Sequence, residues 1–372
     1  MRVLIINEVC GIGSTGRIVE SIASDFIKNG DEVKIAYGRY GTTSESTKDI
    51  GVRIGGDFDV KVHALMTRLT DKHGFYSRRA TKKFLKFASE FNPDLVWMHN
   101  IHGYFINVGM LFDWIKSRPD MQVKWTLHDC WTFTGHCVHF TYAKCDKWKT
   151  GCYNCPEKSR YPKAIISNAK RNYIRKKRAF TGVKNMTVIA SCNWIKEKLQ
   201  ESFLKDYPII MEYNNIDLSD FVPLDSNFRK IYQIEDKKMV LAVASSWTDR
   251  KGLLDLNEIA KRLPVDYKLC VVGVTQQQIK TLDARIIAIT KTNSKRQLAE
   301  IYSTADVFIN PTYEDTYPTV NLEARRCGTP VITYRTGGSV ESVREDLIVE
   351  TGDIDGMIEK IITVAQDKTK YL

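Results

Sequence analysis

Two acidic residues, Asp315 and Glu323, stand with seven residues between them in the segment NPTYEDTYPTVNLEARRCGTPVITYRTGG, Asn310 to Gly338. The apolar run Val307–Ile309 predicts a strand that enters a loop carrying Glu314 and Asp315. Pro318 marks a helix start, with Asn321, Leu322 and Glu323 in the first turns, and a second strand over 330–333 runs on to Gly337-Gly338. The carboxylates therefore flank a helix N-terminus at the carboxyl end of a strand, the edge where open α/β sheets bind ligands. Unpaired N–H groups near Thr319 and Val320 suit a phosphate. Carboxylate oxygens accept bonds from vicinal hydroxyls. Together these groups ask for a nucleotide sugar. The plainer reading is a strand–loop–helix with solvated acids.

Other residues extend that chemistry. The strand-like run 240–244 is followed by SSWTDRKG, which places Arg250 and Lys251 where a departing diphosphate needs cations; two solvated charges at a helix start is the alternative. After the strand Val3–Ile6, Gly11, Gly13 and Gly16 fit G-x-G-x-x-G, a weak dinucleotide pattern. The second strand ends in Gly38-Arg39, not in an acid; Arg39 suits a 2′-phosphate, so an NADP-dependent dehydrogenase or epimerase stays open. A tight strand-to-helix turn would need the same glycines. His128 follows the run Val123–Leu127, and His99, Asn100 and His102 follow Leu95–Met98 at the same sheet edge. Histidines at strand ends are also often satisfied structural groups.

Cys137, Cys145, Cys152 and Cys155 are separated by seven, six and two residues in a polar, aromatic-rich stretch. Four thiolates holding a structural zinc would cross-link an insertion too poor in apolar residues to pack unaided. Reduced thiols, a disulfide pair or an iron–sulfur cluster compete, with His136 and His139 as substitute ligands.

The segment Asp315-TYPTVNL-Glu323 resembles the donor-site signature of retaining GT-B glycosyltransferases of family 4. The family's first acid is usually Glu; Asp315 stands there and Glu314 is adjacent. Lys251-Gly252 resembles the family's basic loop, but Ser246 and Trp247 occupy the place of its upstream Arg, leaving Arg250 as the substitute. The phrase Trp131 to Cys137 is similar to one in bacterial surface-polysaccharide members. The resemblance implies an α/β GT-B fold, two Rossmann-like doubly wound domains facing across a cleft. It implies that Glu323 binds the ribose, that Asp315 or Glu314 and His128 hold sugar hydroxyls, and that Arg250 and Lys251 stabilise the diphosphate. Gly13 and Gly16 would let the backbone approach the donor phosphate, and His99, Asn100 and His102 would line the acceptor side. Retention without a covalent intermediate, no catalytic cofactor or metal, and a lipid-linked glycan acceptor follow from it.

The positioning elements are legible as eleven apolar runs of strand length, with helical segments between them. A polar break at Asn214-Asn215-Ile216-Asp217, followed by Phe221, resembles the family's crossing segment. The expected division is 1–222, with a Cys-rich insertion at about 130–160, then 223–353, then a last helix over 354–372 returning to the first domain. Asp57-Phe58-Asp59 occurs in no donor-like context.

Composition sets the remaining bounds. A 372-residue chain with 43% hydrophobic and 27% charged residues has room for two globular domains. No run approaches the roughly 18 apolar residues of a membrane span. Nine cysteines without a secretory leader point to a reducing, cytoplasmic setting. The net charge of +11 gathers at Arg78, Arg79, Lys82, Lys83 and Lys86 and again over 170–178. In the second cluster Ile165, Ile166, Ala169, Tyr173 and Ile174 recur near helical spacing. That pattern predicts an anionic membrane surface, on the inner face, or else solvated helix faces. Nucleic acid is not expected, because stacking aromatics do not interleave with the cations.

Overall fold

Along the strands of the second half, successive residues enter different cores, as a sheet covered on both faces requires. Val240 and Ala242, Leu269 and Val271, Val307 and Ile309, and Ile332 and Tyr334 share one core. Their neighbours Met239, Leu241, Cys270, Phe308 and Val331 share the other. The computed structural model describes residues 1–40, 47–214 and 216–372; Asn215 of the expected crossing segment lies outside them. The chain divides into a unit Met1–Asp217 and a unit Leu218–Leu372.

In the first unit the strands are β1 (Arg2–Ile6), β2 (Glu32–Tyr37), β3 (Gly51–Arg53), β4 (Leu95–Met98), β5 (Gln122–Leu127), β6 (Met186–Ala190) and β7 (Ile209–Met211). They pair in the order β3-β2-β1-β4-β5-β6-β7, every pair parallel. The helices are α1 (Gly13–Lys28), α2 (Asp57–Thr70), α3 (Arg78–Phe91), α4 (Val108–Lys116), α5 (Ala169–Phe180) and α6 (Asn193–Glu201). Strand order reverses at β1, so the carboxyl ends of β1 and β4 flank a switch point where a ligand can enter. Asp59 of the Asp57-Phe58-Asp59 triplet accepts the Gly56 N–H at the start of α2, a capping role.

The second unit has β8 (Lys238–Val243), β9 (Tyr267–Val272), β10 (Ile287–Ile289), β11 (Val307–Asn310), β12 (Val331–Tyr334) and β13 (Ile348–Val349), in the order β10-β9-β8-β11-β12-β13. Its pairs are parallel too. Helices α7 (Phe228–Ile231), α8 (Leu253–Arg262), α9 (Gln276–Ile279), α10 (Lys295–Thr304), α11 (Thr319–Arg326) and α12 (Ile354–Gln366) complete it. Leu256 and Ile259 of α8 join Met357, Ile361 and Val364 of α12 in one core, while Ala299 and Tyr302 of α10 and Ala324 of α11 fill the other. Each sheet is thus a parallel, Rossmann-like α/β layer.

Within the second unit, the buried stripe of α12 packs against α8 and the second sheet. Among the described residues no helix is long and apolar enough to cross a membrane.

Candidate active site

In the second unit, two loops carry the charged groups, and backbone contacts stitch them together. The Arg250 carbonyl accepts the Tyr313 N–H at 2.8 Å. Gly252, at φ +78°, faces Pro311 so closely that a Cβ would collide with its carbonyl oxygen. Tyr313 and Tyr334 both donate to Asp255 Oδ2, at 2.9 and 2.7 Å, tying the acidic loop to α8. Burial and the Asp255 carboxylate push the Tyr334 hydroxyl well up, so it remains a donor.

This scaffold forms two ion pairs. Arg250 Nη1 lies 2.8 Å from Glu314 Oε2, and Lys251 Nζ lies 2.5 Å from Asp315 Oδ2. Glu314 is the more enclosed acid, its side chain 2% exposed against 18% for Asp315. Asp315 is held through its backbone as well: its carbonyl accepts the Gly338 N–H at 3.2 Å, and Gly337 at φ +50° leaves room for that carbonyl only because it has no Cβ. Downstream, Pro318 begins α11 without a side-chain cap, so Thr319 and Val320 sit in the turn whose N–H groups the helix itself cannot satisfy. Glu323 is buried and accepts a 3.1 Å bond from Tyr302 Oη. Asn321 bridges Asn310 and Ser342 at 2.9 and 2.8 Å, fixing α11 against β11.

At the switch point of the first unit, Gly13 opens α1 at φ +66° with free space around it, so its need is conformational. Gly16 is packed: a Cβ would press on Val9, and its carbonyl accepts the Gly11 N–H at 3.2 Å. His99 Nδ1 and His128 Nε2 are 3.0 Å apart. Burial depresses both imidazoles, His128 to about 4, so the pair is neutral at neutral pH and one ring donates to the other. The Asn100 N–H is bound by Asn7 Oδ1 at 3.1 Å, which joins the ends of β1 and β4.

His102 belongs to a second group. Its Nε2 lies 2.7 Å from Asp129 Oδ2 and its Nδ1 lies 3.3 Å from Tyr161 Oη. Burial opposes a charge on His102, but Asp129 and Glu8 outweigh it and hold the pKa above its usual value. The His102 charge and bond in turn hold Asp129 low against its own burial. Burial raises the carboxyl of Glu8, which faces Arg39 at 3.7 Å. Sequence reasoning missed Glu8, Asp129 and Tyr161 as members of this edge, although Glu8 directly follows a strand-end Asn and Asp129 directly follows His128. It also missed Asp255, Tyr302 and Tyr313, whose partners lie far away in the chain.

Cys137, Cys145, Cys152 and Cys155 line one small cavity beside His136 and Trp148. All nine cysteines are thiols. The Gly135 N–H donates to Cys152 Sγ at 3.1 Å, and His136 Nδ1 is engaged by Asp71. Among the described residues no group of three or more His, Cys, Asp or Glu side chains is arranged to hold a metal ion. Nor does the insertion lack a core, contrary to expectation. Trp148 packs on Phe133 and Phe140, with ring centroids 5.2 and 4.9 Å away. Lys176, expected among the surface cations, is buried instead: it donates to the Trp131 and Thr134 carbonyls at 2.6 and 3.1 Å, and burial lowers its pKa to about 7.

Comparison with known proteins places this geometry. Residues 225–372 match the family model described as Glycosyl transferases group 1. The colanic acid biosynthesis glycosyl transferase candidate WcaC of Escherichia coli K12 is 35% identical over 92 residues, 24% of this chain and 22% of its own length. The first curated relatives are matched over only 22% to 51% of their lengths. Sucrose-phosphate synthase from Thermosynechococcus elongatus has a similar fold, with a TM-score of 0.71 at 16% identity, over 100% of this chain and 91% of that one. HepE from Anabaena, solved with UDP and glucose, gives 0.64 at 15% identity over 100% and 91%. These likenesses show the two-domain α/β fold of GT-B proteins. Within that fold, the match to glycosyl transferases group 1 lies in the second unit, over residues 225–372.

Proposed function

We propose that the protein is a retaining glycosyltransferase of the GT-B type, family 4, acting in bacterial surface-polysaccharide assembly (capsule, O-antigen or exopolysaccharide). It moves a sugar from a UDP or GDP donor to a lipid-linked glycan at the cytoplasmic face of a membrane. The observation that carries this reading is the double ion pair, Arg250–Glu314 and Lys251–Asp315, in the loops that lead into α11. A nucleotide sugar brings an anionic diphosphate for the cations and hydroxyls for the acids. Glu323 takes the ribose, the N–H groups of Thr319 and Val320 meet phosphate oxygens, and neutral His128 bonds a sugar hydroxyl. His99, Asn100 and His102 serve the acceptor side.

In the reaction, the bond between the sugar C1 and the β-phosphate oxygen breaks. The acceptor hydroxyl oxygen bonds C1 on the same face, and its proton passes to the departing phosphate. Arg250 and Lys251 carry the growing negative charge, the role a metal plays elsewhere, so the transfer needs no metal. The polysaccharide setting is supported by the likeness to WcaC, and a uridine donor by the fold shared with HepE. The four cysteines are proposed to draw together around a structural zinc. An NADP enzyme is not favoured: Arg39 is engaged by Glu8 and Tyr40, and the matched family model covers the other unit.

Thermal-shift titration with UDP, GDP, their sugar conjugates and NADP tests the reading. Stabilisation by one nucleotide, lost in Glu323→Ala, is expected. A response to NADP alone would sink it.

A further inference from the structure

Helix α2 is inverted relative to an ordinary surface helix. Its buried positions are His63 and Thr67, whereas Phe58, Val62, Leu65 and Leu69 are 78%, 41%, 56% and 47% exposed. Steps of four, three and four residues place these four on one stripe. The inner face is polar for a reason: His63 Nδ1 bonds Ser77 Oγ at 2.8 Å, and its Nε2 accepts the Gly74 N–H at 3.2 Å. The helix is therefore seated by specific hydrogen bonds, and its apolar side is left outward.

The stripe continues past the helix. The Ile165 N–H donates to the Arg68 carbonyl at 2.8 Å, which sets exposed Ile165 and Ile166 against the end of α2. Asn168 bonds the Thr70 carbonyl and Asp71, so α5, which exposes Ile174, starts at the same place. So many large apolar side chains on one continuous face mark an interaction surface.

The charges around the face identify the partner. The His63–Ser77 bond fixes the start of α3, which exposes Arg78, Arg79, Lys82 and Lys83, and α5 exposes Lys170 and Arg171. The exposed acids nearby are already engaged, Asp57 by Arg53 and Glu90 by Lys86. A second copy of the chain would oppose cation to cation. A bilayer with anionic headgroups satisfies both features, with acyl chains meeting the stripe and phosphates meeting the cations.

We infer that the outward face of α2, continued by 165–174 and rimmed by α3, docks on an anionic lipid bilayer. The inference rests on the reading of a membrane-held acceptor and specifies which surface reaches it. It goes beyond the two basic clusters, because the apolar stripe lies on a third helix, bonded to the residue that precedes each of the other two.

The test is co-sedimentation of the full chain with phosphatidylcholine vesicles, with and without phosphatidylglycerol, alongside UDP thermal shifts on the same preparations. Binding should need the anionic lipid and weaken in high salt, each contacting cation contributing about fivefold. The double variant Leu65→Ser, Leu69→Ser should bind vesicles at least about tenfold more weakly, with the UDP shift unchanged. Phe58→Trp should show a blue-shifted emission on anionic vesicles. Equal vesicle binding by the double variant, or no binding by the parent chain, would overturn the inference while leaving the donor reading to its own titration. A dimer in sedimentation velocity that the double variant abolishes, without vesicle binding, would reassign the face to self-association.

Discussion

Replacing Arg250 by Ala separates stability from catalysis at the candidate donor site. Glu314 is 2% exposed and has the guanidinium of Arg250 at 2.8 Å. Removing one partner of a buried pair costs about 3–5 kcal/mol. Arg250 is itself 22% exposed, so water can partly replace it, and the lower figure of about 3 kcal/mol applies. In a unit of this size, about 2–4 °C is lost per kcal/mol, giving a drop of about 6–12 °C in the melting of Leu218–Leu372. Adding Glu314→Gln removes the stranded charge and should restore most of that loss. On the proposed reading, transfer should stay about 100- to 1000-fold low in both variants, because a diphosphate would still lack the cation at position 250. Scanning calorimetry and turnover of the stabilising sugar nucleotide read the two effects separately. If the double variant regained turnover, Arg250 would be only the counterion of Glu314. An unchanged melting temperature in the single variant would mean the pair contributes nothing to stability.

Gly337→Ala should lower the melting temperature by several degrees and weaken UDP binding, because a Cβ at φ +50° collides with the Asp315 carbonyl; an unaffected UDP shift would show that this loop does not shape the site. Acid should destabilise the first unit between about pH 6.5 and 4. Burial lowers His63 to about 3 and His128 to about 4, so the unfolded chain binds protons in that window that the folded chain refuses. Each such histidine contributes a slope of at most about 1.4 kcal/mol per pH unit. His102 runs oppositely: its raised pKa adds stability fully present below the unfolded value and lost as pH rises through the folded one. Melting curves across this range, with His63→Asn flattening the slope, check the balance. Metal analysis of the purified chain should find about one zinc, lost in Cys152→Ser; four titratable thiols and no zinc would leave the insertion to its aromatic core.

Strand after strand was legible because a buried parallel strand is a short, nearly continuous apolar run. Leu95–Met98 appears in the structure with the expected ends; Val3–Ile6, Val123–Leu127 and Val307–Ile309 each gain one polar residue, while the runs 240–244 and 330–333 are displaced by one or two residues. The two strands not foreseen, β7 (Ile209–Met211) and β13 (Ile348–Val349), are short strands at the sheet edges. Edge strands bury less and so carry a weaker apolar signature. The last helix shows a different limit. Its stripe of Met357, Ile361 and Val364 announces a buried face, but the pattern does not say which neighbour buries it.

The sequence by itself determined the alternation of strands and helices, the placing of Arg250, Lys251, Glu314 and Asp315 after strands and of Glu323 in the helix that follows, and the two basic clusters, because residue type and local spacing suffice for these. Tertiary structure alone decided that Arg250 pairs with Glu314 and Lys251 with Asp315, 64 residues on in each case. It also decided that His102 meets Asp129 and Tyr161, that Lys176 leaves the surface, and that α2 turns its apolar side outward. Each of these depends on which distant side chain or solvent a group faces after packing, and burial and pairing energies exist only once that neighbour is in place.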